Sequence, residues 1–360
     1  MASESGRPPW VVGHFDPSGS RPNHLDSTGH VQYPHAPDPF ISVISPSFRH
    51  RRYLPSTLAS VARQTFTNFE HIVIDGGSTD GTVEYLKQCE NLRWVSEPDS
   101  GYVDAFHKGL AMAEGTWIMQ CCISDGLLVQ DWFQRFVDAV AARPDVSLVW
   151  GLPRFLGQGG SLGPVVYDDL FLDGQERDFR QDFLAWLTRG FVLPEGNLLV
   201  RKDVLEACFP DSEQCSSRPI DPWLEFNTRF RRAGFVTLGL PVVANYGREH
   251  ADSNTARELR DGKWMIMRDT YNRQVAHARH RHLGLGRPKA FRAPNGRVVT
   301  SVSYTAWERL GGMVIAGSDV LARRLRPVLS HLGEPTLSRL RRARSSLVRI
   351  TQLNPSEPHS

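Results

Sequence analysis

Two hydrophobic periods alternate along residues 39–255. Short runs rich in β-branched and aromatic residues occur at Ile41-Ser42-Val43-Ile44-Ser45 and at residues 69–75, 92–96, 116–122 and 146–150. Runs of this length and composition read as buried strands. Between them, residues 53–64, 81–89, 102–113 and 129–142 place apolar side chains at helical spacing, and Gly115 closes the third. Strand and helix in strict turn predict an α/β fold: a mostly parallel, Rossmann-like sheet with helices on both faces. A further strand is expected at Val242-Val243-Ala244-Asn245. The flanks differ. Residues 1–38 are rich in Pro, Gly, His and Ser without periodicity and read as a mobile, disordered arm. Residues 256–360 read as a helical extension, basic at its end. No internal repeat is visible.

Composition narrows the class. The chain has 360 residues, 40% hydrophobic and 22% charged, which are globular values. A net charge of +3 is too small to argue for nucleic acid, and no nucleic-acid partner is expected. No run of about 18 apolar residues predicts a membrane span, and the start lacks a basic-then-apolar signal peptide. The five cysteines have no zinc-site spacing, and their odd number argues against a secreted disulfide framework. A reducing cytoplasm is the expected setting.

The richest segment is residues 72–82, Ile-Val-Ile-Asp-Gly-Gly-Ser-Thr-Asp-Gly-Thr. A strand ends on Asp75, two glycines turn the chain, and Ser78-Thr79-Asp80 offers caps for the next helix. Ligands of open α/β sheets bind beyond the carboxyl ends of the strands, so Asp75 is expected to face a ligand. An ordinary capped turn would use the same residues.

Four segments in register carry a resemblance: Ile41-Ser-Val-Ile-Ser-Pro-Ser-Phe48, the Asp75 segment, Ser96-Glu-Pro-Asp-Ser-Gly101 and Asp104-Ala-Phe-His-Lys-Gly109. In order and spacing they resemble family 2 glycosyltransferases of the GT-A fold, closely over residues 40–126 and more loosely to 255. The resemblance implies a nucleotide-diphosphate sugar donor, a UDP-sugar favoured, a divalent Mg²⁺ or Mn²⁺, and an inverting displacement at the anomeric carbon. It implies that Pro46, Ser47 and Phe48 pack on the nucleoside, that Asp75 accepts from the base, and that Asp104 and Lys108 lie close to the nucleotide. Arg49, His50, Arg51 and Arg52 would add positive charge at this mouth or form a solvated loop.

The family's metal-binding acidic motif corresponds to Ile123-Ser124-Asp125-Gly126. Relatives place Asn or Asp first and Asp third and fourth. Here only Asp125 remains as metal ligand, beside Ser124 at the nucleotide, and weaker metal affinity is expected. Downstream, Tyr246-Gly-Arg-Glu-His-Ala-Asp-Ser253 resembles the family's segment near the diphosphate, with Arg248 a phosphate cation and His250 a metal or phosphate partner. The catalytic base would be Asp221, in Pro219-Ile220-Asp221-Pro222-Trp223-Leu224-Glu225, with Glu225 in reserve. Asp221 before a proline is also a natural helix cap. Glu195 and Asn197 are expected to orient the acceptor, a glycan or a lipid-linked acceptor.

The sequence therefore divides into an arm (1–38), a glycosyltransferase domain (39–255) and a basic helical region (256–360). Residues 321–350 interleave leucines and valines with arginines, which suits either a peripheral seat on the inner face of a membrane or a solvated face. Two other functions stay open. A catalytically inactive relative that binds nucleotide-sugar or a partner would explain Ile123 and Gly126. A dinucleotide-dependent oxidoreductase fits poorly, because Asp75-Gly-Gly-Ser is not Gly-x-Gly-x-x-Gly.

Overall fold

A computed structural model describes residues 11–12, 31–171, 173–217, 220–312 and 314. The strands are β1 (Val11–Val12), β2 (Ile41–Ser47), β3 (Phe69–Asp75), β4 (Arg93–Ser96), β5 (Trp117–Gln120), β6 (Gly126–Leu127), β7 (Leu148–Leu156), β8 (Leu162–Val165), β9 (Arg177–Asp178), β10 (Leu199–Arg201), β11 (Thr237–Arg248), β12 (Lys289–Arg292) and β13 (Val298–Val302). The helices are α1 (Leu54–Ala62), α2 (Thr82–Leu86), α3 (Tyr102–Met112), α4 (Trp132–Ala142), α5 (Phe179–Arg189), α6 (Lys202–Cys208), α7 (Ser212–Ser217), α8 (Pro222–Ala233), α9 (Asn254–Arg260) and α10 (Lys263–Arg279).

The main sheet runs β1-β11-β7-β10-β5-β2-β3-β4. β5, β2, β3 and β4 are mutually parallel, as the alternation predicts. β11 is parallel to β7, while β10 is antiparallel to both of its neighbours. The register aligns Ser47 with Asp75 and Asp75 with Ser96, so the carboxyl ends of β2, β3 and β4 form one line.

Side chains of β2 and β3 alternate between two cores, the period of two a strand imposes. Ile41, Val43, Phe69 and Val73 enter a core with Leu58, Trp132 and Phe136. Ile44, Ile72 and Ile74 enter the other, with Phe106, Trp150, Trp223 and Phe226. Both strands are buried along their whole length. His71 is held inside by Tyr33 at 2.7 Å and Ser45 at 2.8 Å, and burial drives its pKa down to about 3, so it stays neutral.

Two expectations need correction. The arm does not extend to residue 38 unstructured: Val31 and Tyr33 are buried in the core. Region 256–314 is not purely helical, because β12 and β13 form an antiparallel hairpin that buries Phe291. This region packs on the core: the Tyr271 hydroxyl accepts from Asn227 at 2.7 Å and donates to the Phe191 carbonyl at 3.0 Å. Among the described residues no helix is long and apolar enough to cross a membrane. The arginine-rich stretch 321–350 lies outside the described residues.

Candidate active site

The residues expected on the donor side lie at the aligned strand ends. Asp75 is fully buried. Ser78 donates to it through its backbone N–H at 2.8 Å and its hydroxyl at 2.5 Å, and Ser96 through its hydroxyl at 2.7 Å. Three of the roughly four lone-pair directions of the carboxylate are therefore filled from within. The residue expected to present itself to a ligand instead fastens the turn and the neighbouring strand. Ser78 is likewise not the helix cap. Its hydroxyl is committed to Asp75, Gly81 stands at the N-cap of α2, and Asp80 accepts from Thr82 and from the Arg51 N–H at 3.0 Å.

Pro46 and Ser47 end β2 and are buried, whereas Phe48 just beyond is 46% exposed, with the Arg49 guanidinium 5.1 Å from its ring centre. An exposed ring at a strand end is a surface on which a base can stack. Arg49 has φ 57°, a conformation a non-glycine residue holds only under surrounding constraint. Its N–H donates to Ser78 at 2.7 Å. Asp104 opens α3, accepts from the Ser100 N–H at 3.0 Å and lies 3.6 Å from Lys108, which pairs with Glu97 at 2.8 Å. The Ser100 N–H and Lys108 hold the Asp104 carboxyl below its usual range, so it stays ionised at the rim.

Residues 123–126 form the seam. Ser124 has φ 138° and is fixed from both sides: Thr57 lies 3.2 Å from its N–H, and the Arg248 Nε donates to its carbonyl at 3.0 Å. Strain pinned in this way clusters at functional sites. Asp125 accepts at Oδ1 from the Arg248 N–H at 3.0 Å and from Ser124 at 3.3 Å, which leaves Oδ2 without a protein donor among the described residues. Burial raises its pKa to about 6 against those bonds and the Arg248 charge. The departures from the acidic motif are locked by packing. Ile123 is in the core, and a Cβ on Gly126 would lie 2.7 Å from the Tyr246 hydroxyl and 2.8 Å from the Ser60 hydroxyl.

Arg248 lies over the rings of Tyr53 at 5.1 Å and Tyr246 at 5.6 Å. His250 packs against Tyr53 at 5.0 Å and edge-on to His50 at 5.4 Å. Among the described residues, the buried Nδ1 atoms of both histidines have no hydrogen-bond partner. Burial lowers both pKa values, and the Arg257 cation adds to the effect, so neutral imidazoles face this space. Among the described residues no three His, Cys, Asp or Glu side chains gather as a ligand set. Mg²⁺ ordinarily takes one or two carboxylates with phosphate oxygens and water. Of the two expected ligands, Asp125 keeps one oxygen open and His250 keeps Nδ1 without a partner among the described residues, and these are donor types such a cation accepts.

The expected acceptor residues form a second group of carboxyls around Asp221. Asp221 is the N-cap of α8 and accepts from the Leu224 N–H at 2.8 Å. Burial raises its pKa despite that bond. Glu195, in a single 3₁₀ turn, reaches solvent yet is closely surrounded, and desolvation together with Asp221, Asp125 and Glu258 pushes it to about 8. Glu258 is raised to about 7 by desolvation and by Asp221. The wall beside them is a hydrogen-bonded trio: Trp223 donates to Tyr102 at 2.5 Å and to Gln120 at 3.0 Å, and Tyr102 donates to Gln120.

Two acceptor-side expectations are overturned. Asn197 is fully buried; its amide donates to the Gly151 carbonyl at 3.0 Å and to Asn245 at 2.8 Å, and its oxygen accepts from the Gly151 N–H at 3.0 Å. It ties the Glu195 turn to β7 and β11 and has no capacity left for an acceptor. Glu225 has both oxygens engaged, by Arg229 at 2.8 Å and Gln274 at 3.0 Å. Burial alone would raise its pKa, but those two partners bring it below the ordinary value, so it is a poor base. Sequence reasoning missed Glu258, which lies in α9 beyond the boundary set at residue 255, in a stretch with no pattern to single it out. The Tyr102–Gln120–Trp223 trio left only the tryptophan as a signal.

Residues 42–209 match the model of the family described as Glycosyl transferase family 2. The match covers a little under half of the chain and marks that segment as similar to family 2 glycosyltransferases. An uncharacterized glycosyltransferase of Mycobacterium tuberculosis is 37% identical over 144 residues, 38% of this chain and 55% of that protein. A PGL/p-HBAD biosynthesis glycosyltransferase of Mycobacterium bovis is 33% identical over 118 residues, 31% of this chain and 46% of that protein. The chain thus spans about half the length of the curated relatives it matches. Among solved structures, Staphylococcus aureus TarS in complex with UDP-GlcNAc is 17% identical with a TM-score of 0.48, covering 68% of this chain and 72% of that one. A likeness this distant bears no weight on function.

Proposed function

We propose that this chain transfers a sugar from a nucleotide-diphosphate sugar, a UDP-sugar favoured, to a hydroxyl of a glycan or lipid-linked acceptor, with inversion at the anomeric carbon. The observation that carries the reading is Asp221: a half-buried carboxyl with a raised pKa, fixed at a helix start close to Glu195 and Glu258. A base must be aimed and able to hold a proton, and Asp221 meets both needs. In the proposed step it takes the acceptor proton. The acceptor oxygen bonds to the anomeric carbon as the bond to the diphosphate breaks on the opposite face. Arg248, beside the seam, offsets the charge on the leaving phosphate.

Asp125 and His250 are the residues to hold a divalent cation, which would neutralise diphosphate charge when bound. Phe48 offers the stacking surface for the base. Asp75 acts through Ser78 and Ser96 and its one unfilled lone-pair direction. Glu195 and Glu258 line the acceptor side.

The test is a thermal-shift screen of UDP-, GDP- and dTDP-sugars with and without Mn²⁺, followed by transfer assays and assignment of the product anomer. A donor that stabilises the fold and yields inverted product supports the reading. Retained configuration would rule out direct displacement, and a chelator without effect would remove the cation. The second reading is a nucleotide-sugar-binding protein without turnover. It is favoured by the packed positions of Ile123 and Gly126, which deny the motif two carboxylates. Donor binding without hydrolysis or transfer would select it.

A further inference from the structure

The corner between α9 and α10 faces two ways. Inward it carries half-buried Glu258 toward the acceptor-side carboxyls. Outward it carries Leu259, Met265 and Ile266, which are 53%, 53% and 52% exposed, with half-buried Trp264 between them. α9 buries none of its residues. Exposed apolar side chains scattered singly need no explanation, but three large ones within eight residues mark a contact surface.

The charge around them says what kind. Arg257, Arg260 and Lys263 are exposed on the same corner, and across residues 257–266 the one exposed carboxylate is Asp261, 3.9 Å from Lys263. A second copy of the chain seated here would set these cations against themselves. An anionic lipid surface would attract them while the leucine, methionine and isoleucine enter the headgroup boundary, with a tryptophan suited to that depth.

We propose that the α9–α10 corner seats this protein on an anionic lipid surface, so that the acceptor side of the cleft opens at the membrane and receives an amphiphilic acceptor. The identity of the acceptor rests on the proposed function; the seating does not. The two are tested separately. The full chain is sedimented with vesicles of phosphatidylcholine alone and of phosphatidylcholine with phosphatidylglycerol. The wild type should bind the mixed vesicles and leave the neutral ones.

The double variant Met265→Glu/Ile266→Glu should bind at least about tenfold more weakly, with an unchanged melting temperature because both sites are exposed. Arg260→Glu/Lys263→Glu should weaken binding and flatten its salt dependence. Failure of the wild type to bind mixed vesicles would overturn the seating. So would apolar variants that bind as the wild type does, which would assign any lipid contact to residues elsewhere such as 321–350. Variants that turn a dimer into a monomer would assign the corner to a second copy. Vesicle binding that follows these expectations while no nucleotide sugar binds would leave the seating standing and remove the transferase reading alone.

Discussion

Two groups of carboxylates, those expected on the donor side and those expected on the acceptor side, are treated in opposite ways. On the donor side, Asp75 and Asp104 are satisfied from within, by Ser78 and Ser96 and by Ser100 and Lys108. On the expected acceptor side, Glu195, Asp221 and Glu258 are crowded together, and each is raised. Asp125, at the seam, shares both conditions. A satisfied carboxylate holds shape, whereas a crowded one is unstable toward a proton or a cation, and groups whose environments shift their pKa values are the ones able to do chemistry. The difference suggests a division of labour: a preformed shelf for the donor, and a reactive wall for the acceptor.

The largest effect expected of this contrast is at Asp221. Asp221→Asn keeps an acceptor for the Leu224 N–H, so α8 should remain capped, but it removes the base. Transfer should fall by about 10²–10⁴-fold, while donor affinity measured by titration stays near that of the wild type. Unchanged transfer would take the base away from the acceptor wall. At Asp75 the effect should be structural. Asp75→Ala leaves the donors of Ser78 and Ser96 unpaired in a buried place, and the melting free energy should drop by about 1–3 kcal/mol. Nucleotide affinity should fall with it. A variant as stable as the wild type that loses only nucleotide affinity would return Asp75 to direct contact with the base.

The contrast also sets the direction of pH dependence. Glu195 is raised to about 8 and Glu258 to about 7, so between the ordinary carboxylate range and those values the folded chain holds protons that the unfolded chain has released. Stability therefore falls as pH rises through that window, and the loss is complete above about 8. Buried neutral His71 pulls the other way below its ordinary range, so the Glu195 contribution is read as the difference between the wild-type and Glu195→Gln melting curves from pH 6.5 to 9. Glu195→Gln should decline less steeply. Parallel curves would mean that the acceptor wall is not crowded in solution.

The donor side was the more legible half because its determinants are local. β3 ends on Asp75 as expected, and β2, α3 and the parallel order follow from runs of a few residues whose period is set by their own neighbours. What the sequence hid is where each carboxylate finds partners. Asn197 is closed off by Gly151 and Asn245, and Glu225 by Gln274, residues 46 to 49 positions away. Glu258 acquires its role from Asp221 across the cleft, and an element boundary drawn from composition could not include it. Asp75 failed in a subtler way: its own motif supplies Ser78 three residues on, and the parallel neighbour β4 supplies Ser96. The segment read as a ligand site is also a self-sufficient turn.

The smallest expected effect separates two acids on one helix. Asp221 and Glu225 both lie in the first turn of α8 or just before it, and the sequence alone leaves either as the base. Glu225 is bonded to Arg229 and Gln274, and its pKa is below the ordinary value, so its proton affinity is poor and neither oxygen is open. Glu225→Gln should cost about 1 kcal/mol of stability through the weakened Arg229 contact, and transfer should continue at nearly the wild-type rate. Steady-state assays of the two variants side by side decide the assignment. A severe loss in Glu225→Gln with a mild one in Asp221→Asn would mean that the Arg229 and Gln274 bonds open during turnover, and that the satisfied carboxylate, not the crowded one, takes the proton.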